Sequence, residues 1–183
     1  MRFFSAILLA LISAFAFAPP ANAKVVRDVI YADAPGLDPG EVRADVYLPD
    51  AAHNAPVILM MHGGAWTFGN KLSALGMFQA RYFNDQGFVF IAVNYRLSPA
   101  HPFPAQQQDT AAAIAYFHEH ATEFGGDPNS IFLMGHSAGA HMAALTAIDP
   151  DYLDAFDLTP GVIKGVVAMD SAAYNMARTG SDG

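Results

Sequence analysis

One segment, residues 131–147, constrains the fold of this chain more than any other, and it reads IFLMGHSAGAHMAALTA. A short apolar run typical of a buried strand leads into Gly135, and an alanine-rich helical run begins just after Ser137. Gly135 and Gly139 stand two residues on either side of that serine, where a sharp turn leaves no room for side chains. The segment therefore predicts a strand, a tight turn that exposes the serine, and a helix.

The rest of the chain alternates between strand-like and helix-like runs. Strands are predicted over residues 24–32, 42–49, 56–64, 88–96, 129–136 and 161–170. Helices are predicted over residues 73–87, 105–126 and 137–148. The first two strands are joined by a turn rich in Pro, Gly and Asp, which favours an antiparallel pair at a sheet edge. The alternation that follows predicts an α/β protein with a mostly parallel sheet and helices on both faces.

The first 23 residues are typical of an export signal rather than of a folded element. Arg2 precedes an apolar run over residues 3–18, two prolines end it, and residues 21–23 form an A-x-A cleavage pattern. The run is shorter than the roughly 20 residues of a membrane span. We expect a signal peptide over residues 1–23, a secreted or periplasmic domain over residues 24–183, and no stable membrane association after cleavage. An uncleaved membrane anchor is the alternative.

Composition excludes several other functions. The formal net charge is −8 and no cluster of Lys or Arg exists, so a nucleic-acid-binding surface is not expected. The chain has no cysteine, which excludes disulfides and thiolate chemistry. An acidic run over residues 149–157 lacks the spacing of a calcium-binding EF-hand loop, and we expect neither a metal nor a cofactor. The sequence does not indicate an oligomeric state.

The serine turn has the chemistry of a nucleophile. A serine hydroxyl needs an exposed position and a base within hydrogen-bond reach, and the turn provides the exposure at Ser137. The helix that follows offers free amides and the positive end of its dipole to a developing oxyanion. We predict an oxyanion hole built from the backbone amides of Gly64 and Ala65, in the loop HGGAW, and of Ala138. Trp66 is predicted either to brace that loop or to line an acyl pocket.

Four motifs occur in order along the chain, and together they resemble a known family. They are HGGAW, NYRLSPAHPFPAQQQD, FGGDPNSI and GHSAG. The chain resembles the α/β-hydrolase superfamily, and more narrowly the hormone-sensitive-lipase-like and feruloyl-esterase-like carboxylesterases, over residues 47–173. The resemblance implies hydrolysis of a small-molecule carboxylic ester, or less often an aryl amide, through an acyl-serine intermediate at Ser137. It also implies that Arg96 and His101 hold the proline-rich crossover loop.

The base and acid of a catalytic triad are harder to find. In α/β-hydrolases the acid and then the histidine follow the nucleophile along the chain. His141 is the sole histidine after Ser137, and we expect it to pack under the turn, because the serine points away from the helix that carries His141. Asp170 is a candidate acid at the end of the last strand, although the usual position lies one strand later.

We therefore expect residues 24–183 to be the N-terminal two-thirds of a hydrolase domain without its C-terminal strands. Such a chain should have little activity by itself, since a serine without a base keeps only what binding and the oxyanion hole supply. Three functions stay open: a serine esterase, an arylformamidase-type amide hydrolase, and a non-catalytic binding or scaffold protein with a hydrolase fold. The genomic sequence after codon 183 discriminates between the enzymes and the scaffold.

Overall fold

A computed structural model describes residues 24–33, 37–72 and 74–170, without the side chains of residues 74–78. The predicted signal peptide, residues 1–23, and the last 13 residues of the predicted domain, 171–183, lie outside the described residues. Within the described part of the chain, no helix is both long enough and apolar enough to cross a bilayer.

The order of strands and helices is the one predicted. The strands are β1 (Lys24–Ile30), β2 (Arg43–Leu48), β3 (Ala55–Met61), β4 (Val89–Val93), β5 (Gly126–His136) and β6 (Ile163–Met169). The helices are α1 (Ala74–Asp85), α2 (Ala105–His120), α3 (Ala138–Ile148) and the single turn α4 (Asp151–Asp154). Short 3₁₀ turns cover Ala121–Phe124 and Pro160–Val162.

The six strands form one sheet in the order β1-β2-β4-β3-β5-β6. The strands β1 and β2 are antiparallel to each other, and β2 is antiparallel to β4, as the short first turn predicts. The pairs β3–β4, β3–β5 and β5–β6 are parallel. Because β3 and β5 are parallel neighbours, the loop after β3 and the turn after β5 meet at the same edge of the sheet. The sheet is therefore mostly parallel, as predicted. The predicted site lies at the edge where this loop and this turn meet.

Helices cover both faces of the sheet, which confirms the predicted layers. One face packs against α2 and α3, with fully buried side chains such as Leu59, Ile114 and Met142 in contact. The other face packs against α1, where Ile58 and Phe90 lie over Ala80. Successive strand residues alternate between these two cores, so every position of β4 is buried. The strand β6 is less covered, and Val166 and Val167 are exposed.

The largest boundary difference from the prediction lies at the end of α2, and a glycine explains it. The helix predicted to reach residue 126 ends as α2 at His120, followed by one 3₁₀ turn. Gly125 then takes the left-handed conformation, with φ of 72°, and ends the helical segment. The strand β5 therefore begins at Gly126, three residues earlier than predicted. Asp127 accepts a hydrogen bond from the amide of Asn129 at 2.8 Å, which forms an Asx turn.

Candidate active site

Ser137 occupies a strained turn between β5 and α3. Its backbone has φ of 52° and ψ of −114°, outside the conformations that non-glycine residues normally adopt. A conformation of this kind costs on the order of 1–3 kcal/mol and persists only when the surrounding structure imposes it. The amide of Ser137 donates to the carbonyl of Met169 on the neighbouring strand β6 at 2.9 Å. The turn is therefore held by the sheet rather than by its own local preference.

The two glycines flanking the serine are required by close packing of the backbone. A Cβ atom at Gly135 would lie 2.2 Å from the carbonyl oxygen of Gly139. A Cβ atom at Gly139 would lie 2.1 Å from the carbonyl oxygen of Met61 at the end of β3. Both distances are far shorter than any van der Waals contact. Gly135 is therefore required by contact within the turn, and Gly139 by contact with the neighbouring strand β3.

The glycine-rich loop after β3 lies directly against the serine. A Cβ atom at Gly63 would be 3.3 Å from the Cβ of Ser137 and 2.9 Å from Nδ1 of His136. Three residues in a row then have positive φ: Gly64 at 127°, Ala65 at 48° and Trp66 at 60°. Only glycine tolerates the first of these angles without strain. The loop therefore passes the nucleophile in an unusual conformation that its glycines permit.

The predicted oxyanion amides are available for bonding. Within the described part of the chain, the amides of Gly64 and Ala65 have no hydrogen-bond partner, and Ala65 is exposed. Ala138 is the first residue of α3, where a helix amide has no carbonyl partner in its own helix. Their joint role as an oxyanion hole remains a prediction, which this geometry supports.

His62 braces the glycine-rich loop from inside the protein. It is 3 % exposed, and its Nδ1–H donates to the carbonyl of Gly63 at 2.7 Å. Its ring stacks on Tyr95 with a centroid separation of 4.2 Å, and the Tyr95 hydroxyl donates to the His62 carbonyl at 2.8 Å. Burial lowers the pKa of His62, so the ring is neutral near pH 7. The sequence analysis assigned no role to Tyr95, although this residue lies in the motif NYRLSPAHPFPAQQQD.

A buried charge cluster anchors the far end of the same loop. Asp45, on β2, is fully buried and accepts hydrogen bonds from Arg27 at 3.0 Å and from the ammonium group of Lys71. Lys71 also contacts Asp28 at 2.8 Å. Burial alone would lower the pKa of Lys71, but its bonds to these two carboxylates outweigh burial and raise it. The cluster ties the chain after the loop to the antiparallel strands.

We expect Asp45→Asn to lower the free energy of unfolding by about 2 kcal/mol. Removing one partner of a buried ion pair costs roughly 3–5 kcal/mol, and the cost here is smaller because Asp28 still pairs with Lys71. Urea unfolding of the chain would measure the change. Asp50→Asn, at an exposed position just after β2, is the matched control and should stay within about 0.5 kcal/mol of the parent. Equal effects of the two substitutions would contradict the anchoring role.

Two side chains hold the proline-rich crossover loop, as the resemblance implied. Arg96 forms a bidentate pair with the buried Asp109 of α2, donating from Nη2 to Oδ1 at 2.6 Å and from Nε to Oδ2 at 3.0 Å, and its amide donates to the same carboxylate. Nε2 of His101 lies 3.2 Å from the Glu41 carboxylate. Gln106 closes the loop from inside, since its side-chain amide donates to the carbonyls of Arg96 and His101 at 3.0 and 2.6 Å.

The structure does not supply a base for Ser137 from the residues it describes. Among them, no histidine is hydrogen-bonded to the Ser137 hydroxyl. The carboxylate of Asp170 is 93 % exposed and lies 3.8 Å from Nε2 of His136, beyond hydrogen-bond range. Asp170 stands one residue after the strand that holds the turn, and its role as acid remains a prediction.

His141 instead packs on the second turn of α3. Its ring meets Trp66 edge-to-face with a centroid separation of 5.5 Å, and burial lowers its pKa. Trp66 is half-buried and packs against the main core. Both rings also line a cavity of about 570 Å³ that opens beside Ala65. Trp66 therefore both packs against the core and lines this cavity, and its role in an acyl pocket remains a prediction.

The fold and the serine turn define the class of this protein as an α/β-hydrolase. Esterase 2 of Thermogutta terrifontis with butyrate bound matches with a TM-score of 0.64 and 25 % identity, over 81 % of this chain and 53 % of that one. EstE1, a thermostable carboxylesterase from a metagenomic library, matches with a TM-score of 0.64 and 28 % identity, over 81 % and 46 %. The BD-FAE family model matches residues 44–161, and the chain belongs to this family.

Curated proteins with similar sequences are also named as esterases. The probable isoprenylcysteine alpha-carbonyl methylesterase ICME of Oryza sativa subsp. japonica is 36 % identical over 127 residues, which is 69 % of this chain. The esterase LipQ of Mycobacterium tuberculosis is 37 % identical over 130 residues, or 68 % of this chain. The matched region covers 29 % of the length of each of these two relatives.

Proposed function

We propose that this protein is a carboxylesterase-type serine hydrolase that acts on small-molecule carboxylic esters through an acyl intermediate at Ser137. One observation carries the proposal: Ser137 has a φ of 52° at the turn between β5 and α3, with the glycine-rich loop against it. Strain of this kind in a non-glycine residue is concentrated at functional sites. It therefore favours an enzyme over the non-catalytic scaffold.

The reaction has two steps. In the first, the Ser137 oxygen bonds to the ester carbonyl carbon, the hydroxyl proton passes to a base, and the carbonyl oxygen becomes an oxyanion near the amides of Gly64, Ala65 and Ala138. The ester carbon–oxygen bond then breaks and the alcohol leaves with the proton. In the second step, water attacks the acyl-serine, and the acid product leaves as the serine regains its proton.

The base comes from chain outside the described residues, and the acid is either Asp170 or a residue that also lies outside them, in keeping with the chain order of triads in this superfamily. The 183-residue chain by itself should keep only the residual acceleration that binding and the oxyanion hole supply. Relatives named as esterases support ester bonds as the substrate, and an aryl amide is the second candidate. The first 23 residues support export to the periplasm or outside the cell.

The test compares the 183-residue chain with the product of the complete genomic reading frame. We expect the complete product to hydrolyse p-nitrophenyl butyrate with turnover and the 183-residue chain to show little. Treatment of the complete product with diethyl p-nitrophenyl phosphate should add one diethyl phosphoryl group, which peptide mapping places on Ser137. An adduct on a different residue, or turnover without any adduct, would overturn the assignment. Brisk turnover by the 183-residue chain would show that a described residue acts as the base.

A further inference from the structure

The glycine-rich loop has an outgoing half, residues 62–66, and a returning half, residues 67–71, and the two pack on each other. Gly69, in the returning half, has a φ of 104°. A Cβ atom at this position would lie 2.6 Å from the carbonyl oxygen of Gly63 and 2.6 Å from Nδ1 of His62. A shift of the returning half therefore moves the outgoing half, which carries two of the predicted oxyanion amides.

The segment that follows β4 holds this loop at three points. Tyr95 holds the first residue of the loop, because its hydroxyl donates to that residue's carbonyl at 2.8 Å. The Ser98 amide donates to the carbonyl of Trp66, at the end of the outgoing half, at 2.8 Å. The side-chain oxygen of Asn94 accepts from the amide of Lys71, at the end of the returning half, at 2.6 Å. Of these three bonds, the one to Asn94 alone fixes the returning half.

Asn94 is itself fixed by further hydrogen bonds. Its amide donates to the carbonyl of Arg43 at 2.9 Å, and its carbonyl accepts from the hydroxyl of Tyr31 at 2.6 Å. Its side-chain nitrogen donates to the carbonyl of Gly40 at 3.4 Å. These partners determine the orientation of the carboxamide, because the Lys71 amide needs an acceptor and the Gly40 carbonyl needs a donor.

Loss of the acceptor at Asn94 would have a consequence beyond that one bond. Lys71 is buried, and buried backbone amides are nearly always paired, so its amide must find another acceptor. The returning half of the loop must move to reach one. Because Gly69 packs on Gly63, the outgoing half moves with it.

We propose that Asn94 is a positioning residue for ester hydrolysis, whose side-chain oxygen sets the place of the Gly64 and Ala65 amides through the returning half of the loop. The inference rests on the proposed function for the reaction itself. Among the described residues, those that line the cavity beside Ala65 do not include Asn94. Its effect therefore falls on the transition state, where the oxyanion forms, and not on binding of the ester in its ground state.

Kinetics of the complete product test the positioning role. Asn94→Leu keeps the approximate size of the side chain and removes the acceptor. We expect it to lower kcat for p-nitrophenyl butyrate about 30-fold and to leave KM within about twofold, because the oxyanion amides are displaced rather than deleted. Asn94→Asp keeps an acceptor and should retain kcat within about threefold of the parent. Asn94→Ala removes the acceptor without the bulk of leucine, and it should reproduce the loss if the leucine variant does not fold.

Asn84→Leu is the matched control. The side chain of Asn84 also holds the backbone, since its nitrogen donates to the carbonyls of Tyr47 and Phe88 at 2.9 Å each. These bonds lie at the start of β4, whereas Asn94 follows its end. Asn84→Leu should destabilise the fold as Asn94→Leu does, yet leave both kinetic constants within about twofold of the parent. A merely structural role of Asn94 predicts the same kinetics for both leucine variants.

Two ketones report on the oxyanion hole directly. With 1,1,1-trifluoroheptan-2-one, the Ser137 oxygen bonds to the carbonyl carbon, the hydroxyl proton passes to the base, and the carbonyl oxygen becomes an oxyanion. Heptan-2-one lacks the activating fluorines and binds without this addition. Asn94→Leu should raise the inhibition constant of the fluorinated ketone about 30-fold, as it lowers kcat, and leave that of heptan-2-one unchanged. Asn84→Leu should change neither constant.

Several results would overturn the proposal. Parent-like kcat in Asn94→Leu and Asn94→Ala would show that the oxyanion amides keep their place without this acceptor. An equal loss of kcat in Asn84→Leu, or equal effects on the two ketones, would reduce Asn94 to a structural role. Labelling at Ser137 separates the two proposals: a parent without the diethyl phosphoryl adduct would reject the acyl-serine reaction, and the positioning role with it. An adduct together with parent-like kinetics of both variants would reject the positioning role alone.

Discussion

Replacing Ser137 by alanine in the complete product should lower kcat for p-nitrophenyl butyrate by at least about 10⁴-fold. The substitution removes the atom that forms the acyl bond, whereas the amides of Gly64, Ala65 and Ala138 remain. Serine hydrolases that lose a triad member keep a residual acceleration from the oxyanion hole and binding, so the rate should not fall to that of buffer. KM should change little, because the hydroxyl adds little to ground-state binding.

Ser130→Ala is the matched control for this measurement. Ser130 lies in the middle of the same strand, β5, and has no hydrogen bond to another described side chain. Its replacement should leave both kinetic constants within about twofold of the parent. If Ser137→Ala retains most of the turnover, a different nucleophile or a directly activated water must perform the hydrolysis, and the proposed acyl-serine is wrong.

The features of this site that the sequence predicted are local ones. The serine turn can be predicted from five residues, 135–139, because both glycines and the serine belong to one strand–turn–helix segment. The order of strands and helices could be predicted because each apolar run indicates a strand or a helix from its own local sequence. The end of α2 was predicted less well, since the 3₁₀ turn continues the helical pattern until Gly125 breaks it.

The features that escaped prediction depend on residues far apart in the chain. Lys71 pairs with Asp45 across 26 positions, and the Tyr95 hydroxyl reaches the carbonyl of His62 across 33 positions. No periodicity marks either contact, because each arises only when the sheet brings its strands together. The bond from the Lys71 amide to Asn94 is similar, since asparagine side chains are indistinguishable in the sequence until packing orients them.

Helical spacing was also a poor guide to which apolar residues are buried. Helical spacing places both Tyr82 and Phe83 among the apolar positions of α1, yet Tyr82 is 62 % exposed. Phe83, one position later, stacks on Phe90 of the sheet with a centroid separation of 5.9 Å. The helix is therefore rotated so that its core-facing stripe excludes Tyr82, and a rotation of this size is set by contact with the strands rather than by the helix itself.

The contact between the elbow and β3 is the tightest constraint on the site. A Cβ at Gly139 would lie 2.1 Å from the carbonyl oxygen of Met61 and 2.7 Å from that of His62. Both atoms belong to backbone that is paired in the sheet or leads directly into the glycine-rich loop, so neither can rotate away as a flexible side chain would. A side chain at position 139 can fit only if the start of α3 moves away from β3. That movement displaces Ser137 relative to the oxyanion amides.

We therefore expect Gly139→Ala to lower the free energy of unfolding by about 3 kcal/mol, at the upper end of the cost of overpacking. In the complete product it should also lower kcat/KM by about 100-fold, because a displacement of roughly 1 Å at a catalytic group has that effect. Urea unfolding and p-nitrophenyl butyrate hydrolysis measure the two changes.

Gly161→Ala is the matched control, since its Cβ would meet nothing closer than 3.4 Å, and both quantities should stay near the parent values. Parent-like stability and activity of Gly139→Ala would mean that the elbow and β3 lie further apart than described, and the close approach of serine and loop would no longer support catalysis.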